Sequence, residues 1–409
     1  MQRGSKVLFG VGGGIAAFKA VEAARLLMER GAEVRAVMSA SATRFITPFS
    51  LENLTNHSVF SDLWSESPEG ETHIRLAGWA DALVIAPATM ELIGKLALGL
   101  PNDALSATAA ACPAPLVLAP AMNTVMYENA ATTANLATLR ERGAVMVGPT
   151  YGRFANGAQG LGRMAAPEDI AAAVAMTLGR RGDLVGRRVL VTAGPTQEPL
   201  DPVRYIGNRS SGKMGYALAV AARDRGAAVT LVSGPVALRP PYGVAVVNVT
   251  TAEEMRAAVH AHVTATTATD VLIMAAAVAD YRPLTAAEHK IKKEQATLTV
   301  ALERTVDILG SLTALAGARP IKVGFAAETR GVVDEGTRKL ERKGLDLVVA
   351  NDVAGGAVFG ADTNHVHLID REGNTEELGP APKEHIAEGI LDAVAELLRE
   401  REQSVGDGQ

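Results

Sequence analysis

The sequence predicts an α/β protein of two open, mainly parallel, doubly wound sheets, one in each of two domains. Three observations carry this. Apolar runs of strand length alternate with amphipathic runs of helix length, which calls for parallel sheets covered on both faces. At 409 residues the chain is long for one core. A polar, glycine-rich stretch at residues 178–188 breaks the pattern near the middle and reads as a boundary. The expected domains are 1–180 and 187–400, with a disordered tail over 401–409.

In the first domain, residues 6–11 read as a buried strand that turns through glycines into a helix over 15–30, stopped by Gly31. A second strand spans 33–38, and Ser39-Ala40-Ser41 opens another helix. Further strands are expected at 82–86, 115–119 and 144–147, with helices at 90–98, 103–111 and 130–142 and an alanine-rich helix from Pro167. In the second domain, strands are expected at 188–193, 228–233, 245–249, 271–275, 321–325 and 345–350. The helices between and after them fall at 214–225, 252–263, 306–315, 331–343 and 384–399.

Composition sets bounds. Hydrophobic residues make up 48% and charged residues 21%, the balance of a soluble globular protein. A net charge of −5 argues against a broad nucleic-acid face. No apolar run reaches membrane-spanning length, and the apolar start is broken by glycines and runs into a helix pattern, so no signal peptide is expected. One cysteine, Cys112, allows no internal disulfide and suits the reducing cytoplasm.

The chemistry of the first domain collects where strands end at their carboxyl side, the ligand edge of such a sheet. Gly12-Gly13-Gly14 follow the first strand, Ser39 the second, Ala86-Pro87-Ala88-Thr89 the third, and Ala119-Pro120-Ala121-Met122-Asn123-Thr124-Val125-Met126 the fourth. One mononucleotide at that edge would account for all four. The dinucleotide spacing G-x-G-x-x-G is absent. His73 lies just ahead of the third strand in Glu71-Thr72-His73-Ile74-Arg75-Leu76, and Asn123 would need polar partners if buried.

Together these segments resemble the flavin-dependent cysteine decarboxylases, and more closely the phosphopantothenoylcysteine decarboxylase half of the bacterial bifunctional enzymes. The resemblance covers nearly all of residues 1–180. It implies FMN bound at a subunit interface, with Gly12, Gly13, Gly14, Ser39, Ala88 and Thr89 at cofactor positions. It places His73 in oxidative decarboxylation, Asn123 on the substrate carboxylate and Met126 beside the substrate. There are departures. The family's flap carries A-C-G-D ahead of G-x-G-R-M, whereas here the segment reads Ala155-Asn156-Gly157-Ala158-Gln159-Gly160-Leu161-Gly162-Arg163-Met164. Asn156 stands where the proton-donating cysteine is expected, and Gly12 where many relatives carry a hydroxyl. An amide does not donate a proton at useful rates. Three outcomes follow: another donor such as Tyr151 or water, a reaction that stops at the enethiol, or a domain reduced to a platform.

The second domain is built around residues 192–215, a strand, a long polar loop and a helix. A loop of that length needs a reason. Ser210, Ser211 and Gly212 at the helix start offer N–H groups to an anion. Beyond it, Asp280 follows a strand end, and Lys290 and Lys292 alternate in His289-Lys290-Ile291-Lys292-Lys293. Phe325 suits stacking on a base, with Glu328 nearby, and Lys339 and Lys343 share a helix face. Lysines beside a carboxylate suit a nucleoside triphosphate and Mg²⁺, with Asp280 the candidate metal ligand. No Walker sequence is present.

GPT-x-E-x-x-DPVR-x-I-x-N-x-SSGKMG, AAVADY, KIKK and GFAAET occur in the order found in phosphopantothenate–cysteine ligases, and residues 187–400 resemble that family. The resemblance implies a CTP-dependent reaction through an acyl-cytidylate. Lys290 is carried over to its formation, Asn208 to handling of the acyl intermediate, and Ala276, Asp280, Phe325, Lys339 and Lys343 to nucleotide binding. Val306-Asp307-Ile308-Leu309 matches a nucleotide-loop segment, with Val306 where relatives often have proline. The expected partners are 4'-phosphopantothenate, cysteine and CTP, with no nucleic acid or membrane. The resemblance also implies a homo-oligomer with trimeric decarboxylase and dimeric ligase contacts, up to a dodecamer.

Overall fold

The computed structural model describes residues 4–65, 71–265, 269–292, 296–312, 320–328, 330–352 and 360–406. Lys293, Thr329 and the expected helical residues 313–315 lie outside the described residues, as do 407–409 of the tail. The chain divides into two compact units, Met1–Arg180 and Arg181–Gln409.

The first unit contains β1 (Lys6–Val11), β2 (Glu33–Met38), β3 (Ala82–Ala88), β4 (Leu116–Pro120), β5 (Val145–Met146), β6 (Thr150–Arg153) and β7 (Gln159–Arg163). Its helices are α1 (Phe18–Glu29), α2 (Pro48–Thr55), α3 (Thr72–Trp79), α4 (Met90–Leu98), α5 (Ala104–Ala111), α6 (Thr124–Tyr127), α7 (Ala130–Glu141) and α8 (Pro167–Gly179). The sheet runs β2-β1-β3-β4-β5, and every pair in it is parallel. All seven residues of β3 are buried, as a strand covered on both faces requires. Leu8, Ile85, Leu105 and Leu118 lie in one core cluster beneath the helices. The strand order reverses between β1 and β3, which opens a crevice at their carboxyl ends. The helix expected from Ile15 begins with a 3₁₀ turn, Ile15–Ala17, before α1. Elements that escape the sequence pattern are α3, which carries His73, the short α6 and the β6–β7 hairpin, and the helix expected to open at Ser39–Ser41 is instead a 3₁₀ turn, Ala42–Arg44, followed by α2 from Pro48.

The second unit contains β8 (Arg188–Ala193), β9 (Gln197–Pro199), β10 (Tyr205–Gly207), β11 (Ala228–Ser233), β12 (Ala245–Asn248), β13 (Val271–Met274), β14 (Tyr281–Pro283), β15 (Leu302–Arg304), β16 (Ile321–Glu328), β17 (Leu347–Asp352), β18 (Thr363–Asp370) and β19 (Thr375–Pro382). Its helices are α9 (Lys213–Asp224), α10 (Ala252–Val263), α11 (Ile308–Leu312), α12 (Val332–Lys343) and α13 (Lys383–Gly406). The large sheet runs β12-β11-β8-β13-β16-β17-β18-β19, parallel through β17 and then antiparallel. The last two strands were not expected from sequence. Glu376, Glu377, Pro380 and Pro382 blunt the exposed edge that β19 forms.

The tail is a correction. Helix α13 continues through Arg401 to Gly406 instead of ending in a disordered segment. Its apolar stripe, Ile386, Ile390, Val394 and Leu398, is buried in the same cluster as α9, and Glu402 pairs with Arg187. Packing and that pair hold turns whose own sequence is polar. Among the described residues no helix is long and apolar enough to cross a membrane.

Candidate active sites

In the first unit the four sequence-predicted segments meet at the crevice. Gly12 donates its N–H to the Pro87 carbonyl at 3.1 Å, tying the end of β1 to the end of β3. A Cβ at Gly12 would lie 2.3 Å from that oxygen, so glycine permits the close approach. Gly14 caps the 3₁₀ turn without a side-chain bond, which leaves first-turn N–H groups for a ligand. Ser39 is 7% exposed, and its Oγ lies 3.2 Å from that of Ser41. Ala88 is buried, and Thr89 caps α4 by accepting from the Leu92 N–H.

Asn123 is the N-cap of α6. Its Oδ1 accepts from the Val125 N–H at 3.0 Å, which leaves the amide Nδ2 as a donor. Met126 follows it, 44% exposed. His73 sits in the first turn of α3, partly buried. The β6–β7 hairpin is rooted on the Asn123 segment: the Met122 N–H donates to Gly162, and Gly160 lies against Thr124, where a Cβ would be 2.1 Å from its Oγ1. Asn156 is at the hairpin tip, exposed, with its Oδ1 accepting from the Ala158 N–H. Cys112 is elsewhere. It ends α5 just before β4, at the amino edge of the sheet, and donates to the Ala77 carbonyl. Burial pushes its thiol up, against a hydrogen bond from Ala114.

In the second unit the central loop braces the segment 276–279, which leads to Asp280. Thr192 Oγ1 accepts from the Ala276 N–H at 3.2 Å, and Thr196 Oγ1 from the Ala279 N–H at 2.9 Å. The Asn208 Nδ2 donates to the Val278 carbonyl at 2.9 Å, which leaves Oδ1 as an acceptor. Glu198, buried, accepts from the Ala252 N–H at the start of α10. These braces escaped the sequence reading, because a threonine or glutamate in a loop shows its partner only once the strands are aligned.

Around α12 the structure gathers Phe325, Lys339, Lys343 and Asp307. Lys339 donates to the Phe325 carbonyl, and Lys343 pairs with Asp307, whose other oxygen accepts from the Gly310 N–H. Burial holds Lys339 below the usual lysine range, opposed by Glu328, with Lys343 and Arg342 adding to the lowering and Asp280 opposing it. Asp280 therefore lies within electrostatic reach of Lys339. Burial raises Asp307, but Lys343 and the Gly310 N–H outweigh it and leave it below the usual carboxylate range. Ile308 and Leu309 are not side-chain contacts for a ligand: both are buried in α11 and pack into the core with Leu312. Val306, 44% exposed, precedes them. Among the described residues no group of three or more histidine, cysteine or acidic side chains is arranged for a metal ion.

At the start of α9, Gly212 has φ 76° and no side-chain cap, while the Ser210 and Ser211 hydroxyls accept from the Gly212 and Lys213 N–H groups. Lys213 reaches Asp362 at 2.6 Å and the Gly360 carbonyl at 2.8 Å. Lys383, 6% exposed, donates to the Ala361 and Thr363 carbonyls nearby. Burial first, then Lys213, lowers its pKa. Nothing in the local sequence marks residues 360–383 as neighbours of this helix.

Comparison with known proteins places both units. The sequence model of the family described as Flavoprotein matches residues 1–179, and that of the DNA/pantothenate metabolism flavoprotein C-terminal domain matches residues 184–398. The coenzyme A biosynthesis bifunctional protein CoaBC of Haemophilus influenzae is 44% identical over 394 residues, covering 96% of this chain and 98% of its own length. The chain belongs to that family. The CoaBC protein of Escherichia coli K12 is 45% identical over 404 residues, 97% of this chain and 98% of the relative. A solved C-terminal domain of a CoaBC protein is 42% identical and covers 54% of this chain and 99% of that domain, with a TM-score of 0.46. Members of the family are bifunctional, so the chain is an enzyme of coenzyme A biosynthesis that combines phosphopantothenoylcysteine decarboxylase with phosphopantothenate–cysteine ligase.

Proposed function

We propose that residues 187–400 join 4'-phosphopantothenate to L-cysteine using CTP, and that residues 1–180 decarboxylate the product with FMN to 4'-phosphopantetheine. The observation that carries the ligase reading is the convergence of Phe325, Asp307, Lys339 and Lys343, together with the loop before Asp280, whose Ala276, Val278 and Ala279 are held by Thr192, Asn208 and Thr196. The 4'-phosphopantothenate carboxylate attacks the CTP α-phosphate and pyrophosphate leaves. The cysteine amine then attacks the acyl carbon and CMP leaves. Lys290, Lys339 and Lys343 balance charge on the phosphates during the first step. Asn208, with Oδ1 free to accept, receives an N–H of the attacking amine in the second. Ser210, Ser211, Gly212 and the α9 start bind the anionic substrate. Asp280 supplies a carboxylate to Mg²⁺.

The crevice of the first unit fits FMN. Its Gly12–Gly14 turn is closed against Pro87, and the 3₁₀ start has no side-chain cap. When bound, FMN would take two electrons from the cysteinyl moiety and return them to the enethiol after CO₂ loss, so that the overall decarboxylation is redox-neutral. Asn123 Nδ2 donates to the substrate carboxylate, Met126 flanks it, and His73 exchanges a proton with the cysteinyl group. A second reading has a specific basis. The Asn156 amide cannot replace a thiol, and Cys112 is at the opposite sheet edge. The decarboxylase half then stops at the enethiol, with dioxygen needed to reoxidise the reduced flavin, unless Tyr151 or water donates the proton.

The test is turnover of CTP, 4'-phosphopantothenate and cysteine with mass analysis of the product. 4'-Phosphopantetheine supports the first reading and an enethiol lighter by two hydrogens the second; unprocessed 4'-phosphopantothenoylcysteine refutes decarboxylation. Lys290→Ala should lose pyrophosphate release while remaining folded, and full retention refutes its role. We place the enzyme in the cytoplasm, as a homo-oligomer with trimeric contacts through the first unit and dimeric contacts through the second.

A further inference from the structure

We propose that Asp201 is a positioning residue for the activation step: with Arg204 it clamps the backbone of Ile291 and so fixes where Lys290 stands. The inference rests on the reading of Lys290 as the lysine of acyl-cytidylate formation. Residues 284–292 contain no helix or strand, and Lys290 is exposed. Its position therefore depends on tethers from elsewhere. Three come from one turn. The Ala287 N–H donates to the Leu200 carbonyl at 3.0 Å, the Ile291 N–H to Asp201 Oδ2 at 3.1 Å, and Arg204 to the Ile291 carbonyl at 3.3 Å. Both backbone polar groups of the residue after Lys290 are thus held.

The Asp201 side chain is wholly buried. A carboxylate is an acceptor only and must find donors when buried. Oδ1 accepts from the Val203 and Arg204 N–H groups at 2.8 Å each, which builds the turn. Oδ2 faces Ile291 and the Arg204 guanidinium. One oxygen makes the turn and the other spans 90 residues of sequence. The turn joins β9 to β10 and leads directly to Asn208, so the clamp fixes Lys290 in the frame of the residue assigned to the acyl group. Burial works against the charge of Asp201, but the three backbone N–H groups and Arg204 overcome it and hold the carboxyl below its usual range.

The test uses the full-length chain. Asp201→Asn keeps an acceptor for the turn but loses the anionic oxygen that faces Ile291. Ile291→Pro removes the N–H from the other side with the turn intact, and carries the test if the first variant does not fold. Trypsin cleavage after Lys292, followed by mass spectrometry, should rise about tenfold with other sites unchanged. The kcat of pyrophosphate release should fall by on the order of a hundredfold, while KM for CTP stays within about threefold. Unchanged cleavage overturns the clamp; faster cleavage with unchanged kcat, or a change in KM alone, overturns positioning. Should Lys290→Ala retain pyrophosphate release, the catalytic reading of Lys290 fails, and the cleavage rate still decides whether Asp201 holds the segment.

Discussion

Two asparagines work in opposite senses because opposite ends of their amides are tied. Asn123 spends its oxygen on capping α6 and presents a donor, the group a carboxylate needs. Asn208 spends its nitrogen on Val278 and presents an acceptor, the group an attacking amine needs. Asn208→Asp loses that donor and sets two oxygens against each other. It should still release pyrophosphate but accumulate the acyl-cytidylate, with aminolysis slowed by on the order of a hundredfold. Quench analysis of cytidylate checks this, and normal turnover would refute it. Lys339 predicts a pH dependence. Its pKa is lowered chiefly by burial, and in the role proposed for it the phosphates of CTP would select the charged form. CTP affinity should be full at lower pH and fall as pH rises through that lowered value, before an ordinary lysine titrates near about 10.4. Calorimetric titration should show the alkaline loss in the parent and not in Lys339→Met.

At the scale of elements, helix starts and strand ends make the sites. Helix α9 begins from a left-handed Gly212 whose Cβ, if present, would lie 2.8 Å from Val236 Cγ1. Gly212→Ala adds backbone strain of about 1–2 kcal/mol to that contact. A lowered melting temperature with weakened 4'-phosphopantothenate binding is the expected result, and an unchanged melt would contradict it. The parallel strands and most helices were legible because their apolar periods are strong; the antiparallel β18 and β19 and the short pairs β9–β10 and β14–β15 were not. Helix α3 was not, since Thr72–Trp79 is short and follows a polar stretch. The β6–β7 hairpin was not, because Gly152, Gly157, Gly160 and Gly162 hide its alternation; Gly160 and Gly162 let the hairpin lie on Thr124 and Met122. Residues 401–406 looked like a tail because local composition carries no trace of the Arg187–Glu402 pair.

For the whole molecule, each unit buries its own core, with Leu8, Ile85 and Leu118 in one and Val191, Ile273 and Val323 in the other. The two chemistries should therefore be separable by single substitutions. His73→Asn is expected to abolish CO₂ release from 4'-phosphopantothenoylcysteine and leave pyrophosphate release intact, with paired assays on one preparation as the check. Loss of both activities would show that the halves depend on one another.

The sequence by itself determined the fold class, because alternating apolar periods can be satisfied only by covered parallel sheets. It also determined the family, because several long motifs occur in order along nearly the whole chain. Asn156 was readable too, since a missing thiol needs no coordinates to be noticed. Only the tertiary structure decided which loops brace one another. Thr192 and Thr196 sit more than 80 residues from Ala276 and Ala279, and Asp201 is 90 from Ile291. Such bonds leave no local trace, because a buried acceptor constrains its partner in space and not in sequence.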